Sequence, residues 1–199
     1  MHVEEATAVA LCKRLFTVHE FERMGEVGIL APDERVELLD GEIVKRMTIG
    51  PRHNASVTRG TRFFILALGE QALVLPQGSV RLNLYNQPEP DLVLLRPRAD
   101  FYASRHAGPA DILLIVEIAQ SSVRRDREIK APIYARLGIH EYWLADLNAN
   151  ALTCYSEPRG GAYQTVRKLH RGESVAPLLL PDCLVPVDVL LTDSAPDSL

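Results

Sequence analysis

Two acids set into apolar runs are the residues of this chain whose type and spacing could do chemistry. Pro-Glu-Pro-Asp (88–91) passes straight into Leu-Val-Leu-Leu (92–95), and Asp-Ile-Leu-Leu-Ile-Val-Glu-Ile-Ala (111–119) carries Glu117 inside a hydrophobic stretch. An uninterrupted apolar run of that kind reads as a central strand covered on both faces. A carboxylate within it is destabilising unless a positive partner meets it. Neighbouring strands lie about 4.8 Å apart, so Asp91 and Glu117 can converge on one cation. Donors that are all oxygen favour Mg²⁺ or Mn²⁺ over zinc. Such an ion polarises a phosphoryl oxygen and acidifies water, which is the chemistry of phosphodiester hydrolysis. A lysine would complete the site. Alternation along the strand puts Glu117 and Ala119 on one face, and Ala119 leaves room there for a long side chain. Lys130, on the following helix, is the leading candidate to orient water or stabilise charge developing on phosphorus.

The elements that must position these groups can be read from turn and capping signals. Thr17 with Glu20 forms a capping-box pattern that starts a helix ending near Gly25 or Gly28. Residues 34–47 read as a hairpin about Asp40-Gly41, a type I′ signal, with Leu39 facing Glu42 and Glu37 facing Val44. Pro51 to Asn54 reads as a loop, with Asn54 or Ser56 capping a helix over 55–70. Strands follow at 72–76, 79–84, 92–95 and 112–119. A helix over 125–137 is closed by Gly138, a strand covers 141–145, and a hairpin joins 151–156 to 162–169. Pro132 sits two residues after Lys130, inside that helix, so the helix must start late or be distorted. The order implies an α/β (α+β) fold, a mixed central sheet flanked by helices with an added N-terminal hairpin. One domain would span 16–191, between an arm (1–15) and a flexible tail (192–199).

Bulk composition narrows the function classes. A chain of 199 residues with 47% hydrophobic content can bury a full core, and a charged fraction of 24% is not that of a disordered chain. The net charge of −4 argues against a surface that coats DNA non-specifically, while leaving room for a local basic strip. Cys12, Cys154 and Cys183 show no CxxC spacing, which argues against a zinc ribbon and suits a reducing cytosol. The acidic start lacks the positive charge of a signal peptide, and the apolar stretch 6–12 is too short to cross a bilayer. A soluble cytoplasmic protein without a membrane segment is expected.

Together the segments Val-Glu-Leu-Leu-Asp-Gly-Glu-Ile-Val (36–44), Pro51–His53, Pro-Glu-Pro-Asp-Leu-Val (88–93), 111–122, Asp-Arg-Glu-Ile-Lys (126–130) and 134–144 carry a resemblance. Their order and spacing resemble the bacterial restriction-endonuclease-like family, once a domain of unknown function, within the PD-(D/E)xK nuclease superfamily. The resemblance covers about residues 16–157. It implies a restriction-endonuclease-like fold, Mg²⁺ (or Mn²⁺) as cofactor and DNA as substrate. Asp91 takes the first acid position and Glu117 the second. Ala119 stands where the superfamily's usual lysine would be, and the family's displaced lysine points to Lys130. Glu37 matches an early acid beside the metal site. The metal set this implies is Asp91, Glu117 and Ile118.

Plainer readings stand beside these. Asp91 could be a turn residue after proline, Glu117 a buried acid paired with arginine, and Lys130 an i,i+4 partner of Asp126 on a solvated helix face. His53, Gln77 and Gln120 are possible accessory groups, although a loop or turn role suits His53 and Gln77. Arg124, Arg125 and Arg127 could meet phosphates, diluted by Asp126 and Glu128. The leading expectation is a divalent-metal-dependent endonuclease acting on DNA, with a homodimer suited to cutting both strands. The alternative is a catalytically inactive DNA- or protein-binding module that keeps the nuclease fold.

Overall fold

In the computed structural model the residues described are 12–46 and 49–192. Expectations for most of the N-terminal arm, for Met47 and for the tail beyond Thr192 therefore lie outside them. Helix α1 (Val18–Glu26) begins on the Thr17–Glu20 capping box. Strands β1 (Val36–Leu39) and β2 (Glu42–Lys45) form the hairpin in the expected register, Glu37 against Val44. Asp40 and Gly41 both have positive φ, 47° and 77°, as the two-residue turn requires. Helix α2 (Pro51–Leu68) follows, then β3 (Leu73–Pro76), β4 (Leu92–Leu95) and β5 (Ile112–Ala119). A helical stretch made of α3 (Val123–Arg125), a π turn (Asp126–Lys130) and α4 (Ala131–Arg136) leads to β6 (Glu141–Asp146). The long hairpin β7 (Ala151–Arg159) and β8 (Ala162–His170) precedes a small pair, β9 (Ser174–Val175) and β10 (Val185–Pro186).

Six strands make one mixed sheet in the order β3-β4-β5-β6-β7-β8, parallel only between β5 and β6. The parallel pair follows from the helical crossover that joins its strands. Every residue of β4 and β5 is buried, as runs without polar alternation demand. On one face Leu92, Leu94, Val116, Ile118 and Trp143 pack with Phe64 and Leu68 of α2 and with Val187, Leu190 and Leu191. On the other face Val93, Ile115, Ala119 and Leu144 pack with Ala131, Ile133 and Tyr134 of α4, and with Leu39 of the hairpin. No helix among the described residues is long and apolar enough to cross a membrane.

Helix α2 lies close to the sheet at Gly60. A Cβ there would come within 2.8 Å of Leu92 Cδ1 and 3.0 Å of Leu190 Cδ2. Gly60→Val is therefore expected to destabilise the protein by about 1–3 kcal/mol through overpacking. A urea midpoint equal to that of the wild type would refute that close approach.

Three segments differ from the sequence reading. Pro51 to Asn54 is not a loop but the first turn of α2, capped by Gly50. Proline suits the first helical position, where its fixed φ helps and no N–H is needed. Residues 79–84 do not form a strand. Val80 and Leu82 alternate inward as a strand would, and their N–H groups donate to Pro88 and Asn86. The facing segment carries Pro88 and Pro90, which have no N–H to return, so no ladder forms. The third difference resolves the conflict at Pro132. Its ring would clash with the carbonyl four residues back in a regular α-helix. Instead the helix widens, and the Ala131 N–H donates to the Asp126 carbonyl five residues back. The extra residue rotates the later turns of the helix relative to the earlier ones, and Lys130 ends up buried.

Candidate active site

Asp91 immediately precedes β4, and Glu117 lies in β5. Leu92 pairs with Val116, so the antiparallel register carried one step on sets Asp91 opposite Glu117. Both carboxylates thus fall on the sheet face covered by the π-turn helix. Asp91 Oδ2 accepts the Ile118 main-chain N–H at 2.8 Å and is 3.0 Å from His53 Nε2. Burial pushes the Asp91 carboxyl upward, but the His53 and Ile118 hydrogen bonds and the charge of Lys130 outweigh it, and the net shift is downward. Asp91 is therefore a carboxylate, and His53 Nε2 is the donor of that bond.

Glu117 Oε1 accepts from Lys130 Nζ and from the Tyr134 hydroxyl, both at 2.9 Å. Lys130 Nζ also lies 2.9 Å from Glu37 Oε2, which accepts the Glu89 N–H at 3.4 Å. The hairpin thus reaches the site through Glu37, and the crossover helix through Lys130 and Tyr134. Burial disfavours the Lys130 ammonium, yet Glu117, Glu37 and Asp126 hold its pKa above the usual lysine value. Burial, reinforced by Asp126, Asp91 and Glu37, pushes Glu117 up to about 8 in spite of Lys130.

A cavity of about 480 Å³ opens onto this cluster, bordered by Asp91, Glu117, Ile118 and Lys130, with His53, Gln120 and Arg125 beside them. Eight of the residues singled out in the sequence are therefore gathered here, counting Glu37 through its bond to Lys130. Three are not. Gln77 has φ of +47° at the end of β3, donates its N–H to the Asp91 carbonyl, and lines a different groove beside α2. It holds a turn next to the site and takes no place in the cavity. Arg124 is exposed and paired with Glu128 at 2.8 Å, and Arg127 points to solvent, because both lie on the outer face of the helix.

The sequence reading missed Arg35, Arg46 and Asn148 in the cavity wall, and Tyr134 at the Glu117 carboxylate. Tyr134 had a signal, since it stands four residues after Lys130 on a helix. Arg35 and Arg46 are brought together only by the hairpin, at whose base the Arg46 N–H donates to the Arg35 carbonyl at 2.8 Å.

The cluster is short of positive charge. Glu37, Asp91, Glu117 and Asp126 are buried around one buried ammonium, while Arg46 and Arg125 reach only to 3.7 Å from Asp91 and Asp126. Burial first, and the neighbouring acids after it, raise the Glu117 pKa. Among the described residues Asp91 Oδ1 has no hydrogen-bond donor and Arg46 approaches it only to 3.7 Å, and Glu117 has a second oxygen beyond its bonds to Lys130 and Tyr134. No group of three or more His, Cys, Asp or Glu among the described residues forms a ready-made cage. Two opposed carboxylates suit Mg²⁺ or Mn²⁺, since Mg²⁺ usually keeps several waters and takes one or two protein carboxylates.

Residues 18–188 match the family model Uma2, described as "Putative restriction endonuclease". The chain belongs to the Uma2 family. None of the curated proteins matches it. Among solved structures, the Uma2 chain is similar to a protein from Anabaena variabilis ATCC 29413, titled a putative nuclease belonging to DUF820. The TM-score is 0.67 at 14% identity, over 88% of this chain and 97% of that one. That likeness shows the fold: a mixed six-stranded sheet flanked by helices. The description of the family ties this Uma2 chain to nucleases, and the likeness adds the fold.

Proposed function

We propose that this Uma2 protein is a divalent-metal-dependent endonuclease that hydrolyses DNA phosphodiester bonds. The observation that carries the reading is Asp91 and Glu117 facing each other across β4 and β5 at one cavity, with Lys130 Nζ 2.9 Å from Glu117. Asp91 and Glu117 would hold Mg²⁺ or Mn²⁺, with Ile118 contributing through its main chain. Bound there, the ion would supply positive charge for the phosphoryl oxygen and acidify water. His53 and the Ile118 N–H keep the Asp91 carboxylate ionised and fixed in direction. Lys130 is held as an ammonium by Glu37 and Glu117, beside the place where charge develops on phosphorus. Tyr134 fixes the Glu117 carboxylate from the helix side. Arg125 on the cavity wall meets the DNA backbone, and Gln120 lies at the mouth. Cys12, Cys154 and Cys183 are all free thiols, which suits work in the reducing cytoplasm. We read residues 16–191 as one catalytic domain. Two copies related by a two-fold axis would cut both strands of a duplex.

The test is twofold. Crystals soaked in Mn²⁺ should show anomalous density between Asp91 and Glu117, and supercoiled plasmid should be nicked or linearised with Mn²⁺ and left intact with chelator. The absence of both anomalous density and cleavage of every DNA form tested would remove the proposal. A second reading, a binding module that keeps the fold without catalysis, is favoured by one observation: Lys130 is locked between two carboxylates rather than free to approach a phosphate. DNA binding that is indifferent to chelator and to Glu117→Gln would establish that reading instead.

A further inference from the structure

Arg46 is a cavity residue that the nuclease reading leaves without a role. It comes directly after β2, its side chain is only 7% exposed, and its main chain is tied to Arg35 at the hairpin base. The guanidinium is paired with Glu89 through one nitrogen, while the other lies 3.7 Å from Asp91 Oδ1. Asp91 Oδ2 is already committed to the Ile118 N–H and to His53. The oxygen beside Arg46 is therefore the one that a cation must use. Arg35 borders the same cavity, and its pKa is lowered first by burial and next by Arg46. Two arginines that border one pocket oppose a further positive charge there and are relieved by an anion.

Resting on the nuclease reading, we infer that Arg46 is a positioning residue that couples divalent-ion binding to substrate binding. Without DNA its charge stands on the open side of Asp91 and opposes the ion. A DNA phosphate at the cavity mouth turns the guanidinium from Asp91 to the phosphate oxygens, a bidentate partner that it fits well. Ion and DNA then bind cooperatively, each tightening the other by the same factor. The protein so holds the ion weakly until substrate is present.

The experiment titrates Mn²⁺ calorimetrically into full-length protein, alone and with a short phosphorothioate duplex that resists cleavage. For Arg46→Gln without DNA, Mn²⁺ affinity should rise roughly five- to twentyfold, because a like charge a few ångströms from the ion is gone. With the duplex both proteins should gain affinity, because the phosphate adds negative charge at the ion, and the gain should be several-fold larger in the wild type than in Arg46→Gln. Arg46→Lys keeps the charge and should stay near wild-type affinity. Glu89→Gln frees the guanidinium to move onto Asp91 and should weaken Mn²⁺ binding. A purely structural Arg46 would give the opposite sign, since a misplaced Asp91 loses affinity. Unchanged or weaker Mn²⁺ binding by Arg46→Gln, or equal tightening by Arg46→Lys, overturns the inference while wild-type Mn²⁺ binding preserves the nuclease reading. A wild type that binds no Mn²⁺ overturns both.

Discussion

Lys130→Met is expected to abolish plasmid cleavage and to destabilise the fold. The substitution keeps much of the length of the side chain and removes its charge, leaving Glu37 and Glu117 buried without the cation that both touch at 2.9 Å. Removing one partner of a buried ion pair costs about 3–5 kcal/mol, because the remaining charge stays in a poorly solvating interior. Cleavage should fall by at least about 10²–10³-fold if the ammonium stabilises charge at phosphorus. The two effects can be separated. Lys130→Met combined with Glu37→Gln removes one orphaned carboxylate and should recover part of the stability without recovering cleavage. Denaturant midpoints and nicking rates for the single and double variants provide the check. Wild-type nicking by a folded Lys130→Met protein would mean that Lys130 is only a structural cation.

Asp91→Asn should have the second large effect, of a different kind. The amide oxygen of asparagine can still accept the Ile118 N–H and the His53 Nε2–H, so the local geometry has a replacement acceptor. What disappears is the negative charge opposite Glu117. Mn²⁺ affinity should fall by more than about 100-fold, the upper end of what loss of a merely supporting residue costs. Cleavage should fall by at least about 10²-fold, as is typical when a stabilising group for the transition state is lost. The melting temperature should move by only a few degrees, on the scale of about 1 kcal/mol. Calorimetry and thermal melts on one preparation decide the matter. Wild-type Mn²⁺ affinity in Asp91→Asn would place the ion elsewhere or nowhere.

Much of this was legible along the chain, where a local rule applied. The burial of Glu117 follows from apolar neighbours on both sides in a strand with no alternation, and β5 has the limits that were read. The Asp40-Gly41 turn set the hairpin register, because few residue pairs tolerate two positive φ angles. Glu37 could be placed across from Val44 on that basis, but its contact with Lys130 could not. His53 was misread with its segment. Proline was taken as a loop signal, while Gly50 made it the first position of α2 and brought His53 to Asp91. The arginines could not be told apart for another reason. Arg124, Arg125 and Arg127 look alike in sequence, and only the phase of the helix selects Arg125 for the cavity.

The sequence by itself determined that Asp91 and Glu117 adjoin or lie in buried strands, where those strands run and which turn sets the hairpin register. These depend on periodicity and backbone chemistry within a few residues. Only the tertiary structure decided where the positive charge goes. The π turn before Pro132 aims Lys130 at both Glu37 and Glu117, and hairpin packing brings Arg46 beside Asp91. Those contacts join residues 13 to 93 positions apart along the chain, and burial fixes their strength. No local pattern encodes either the distance or the dielectric environment that such pairs share.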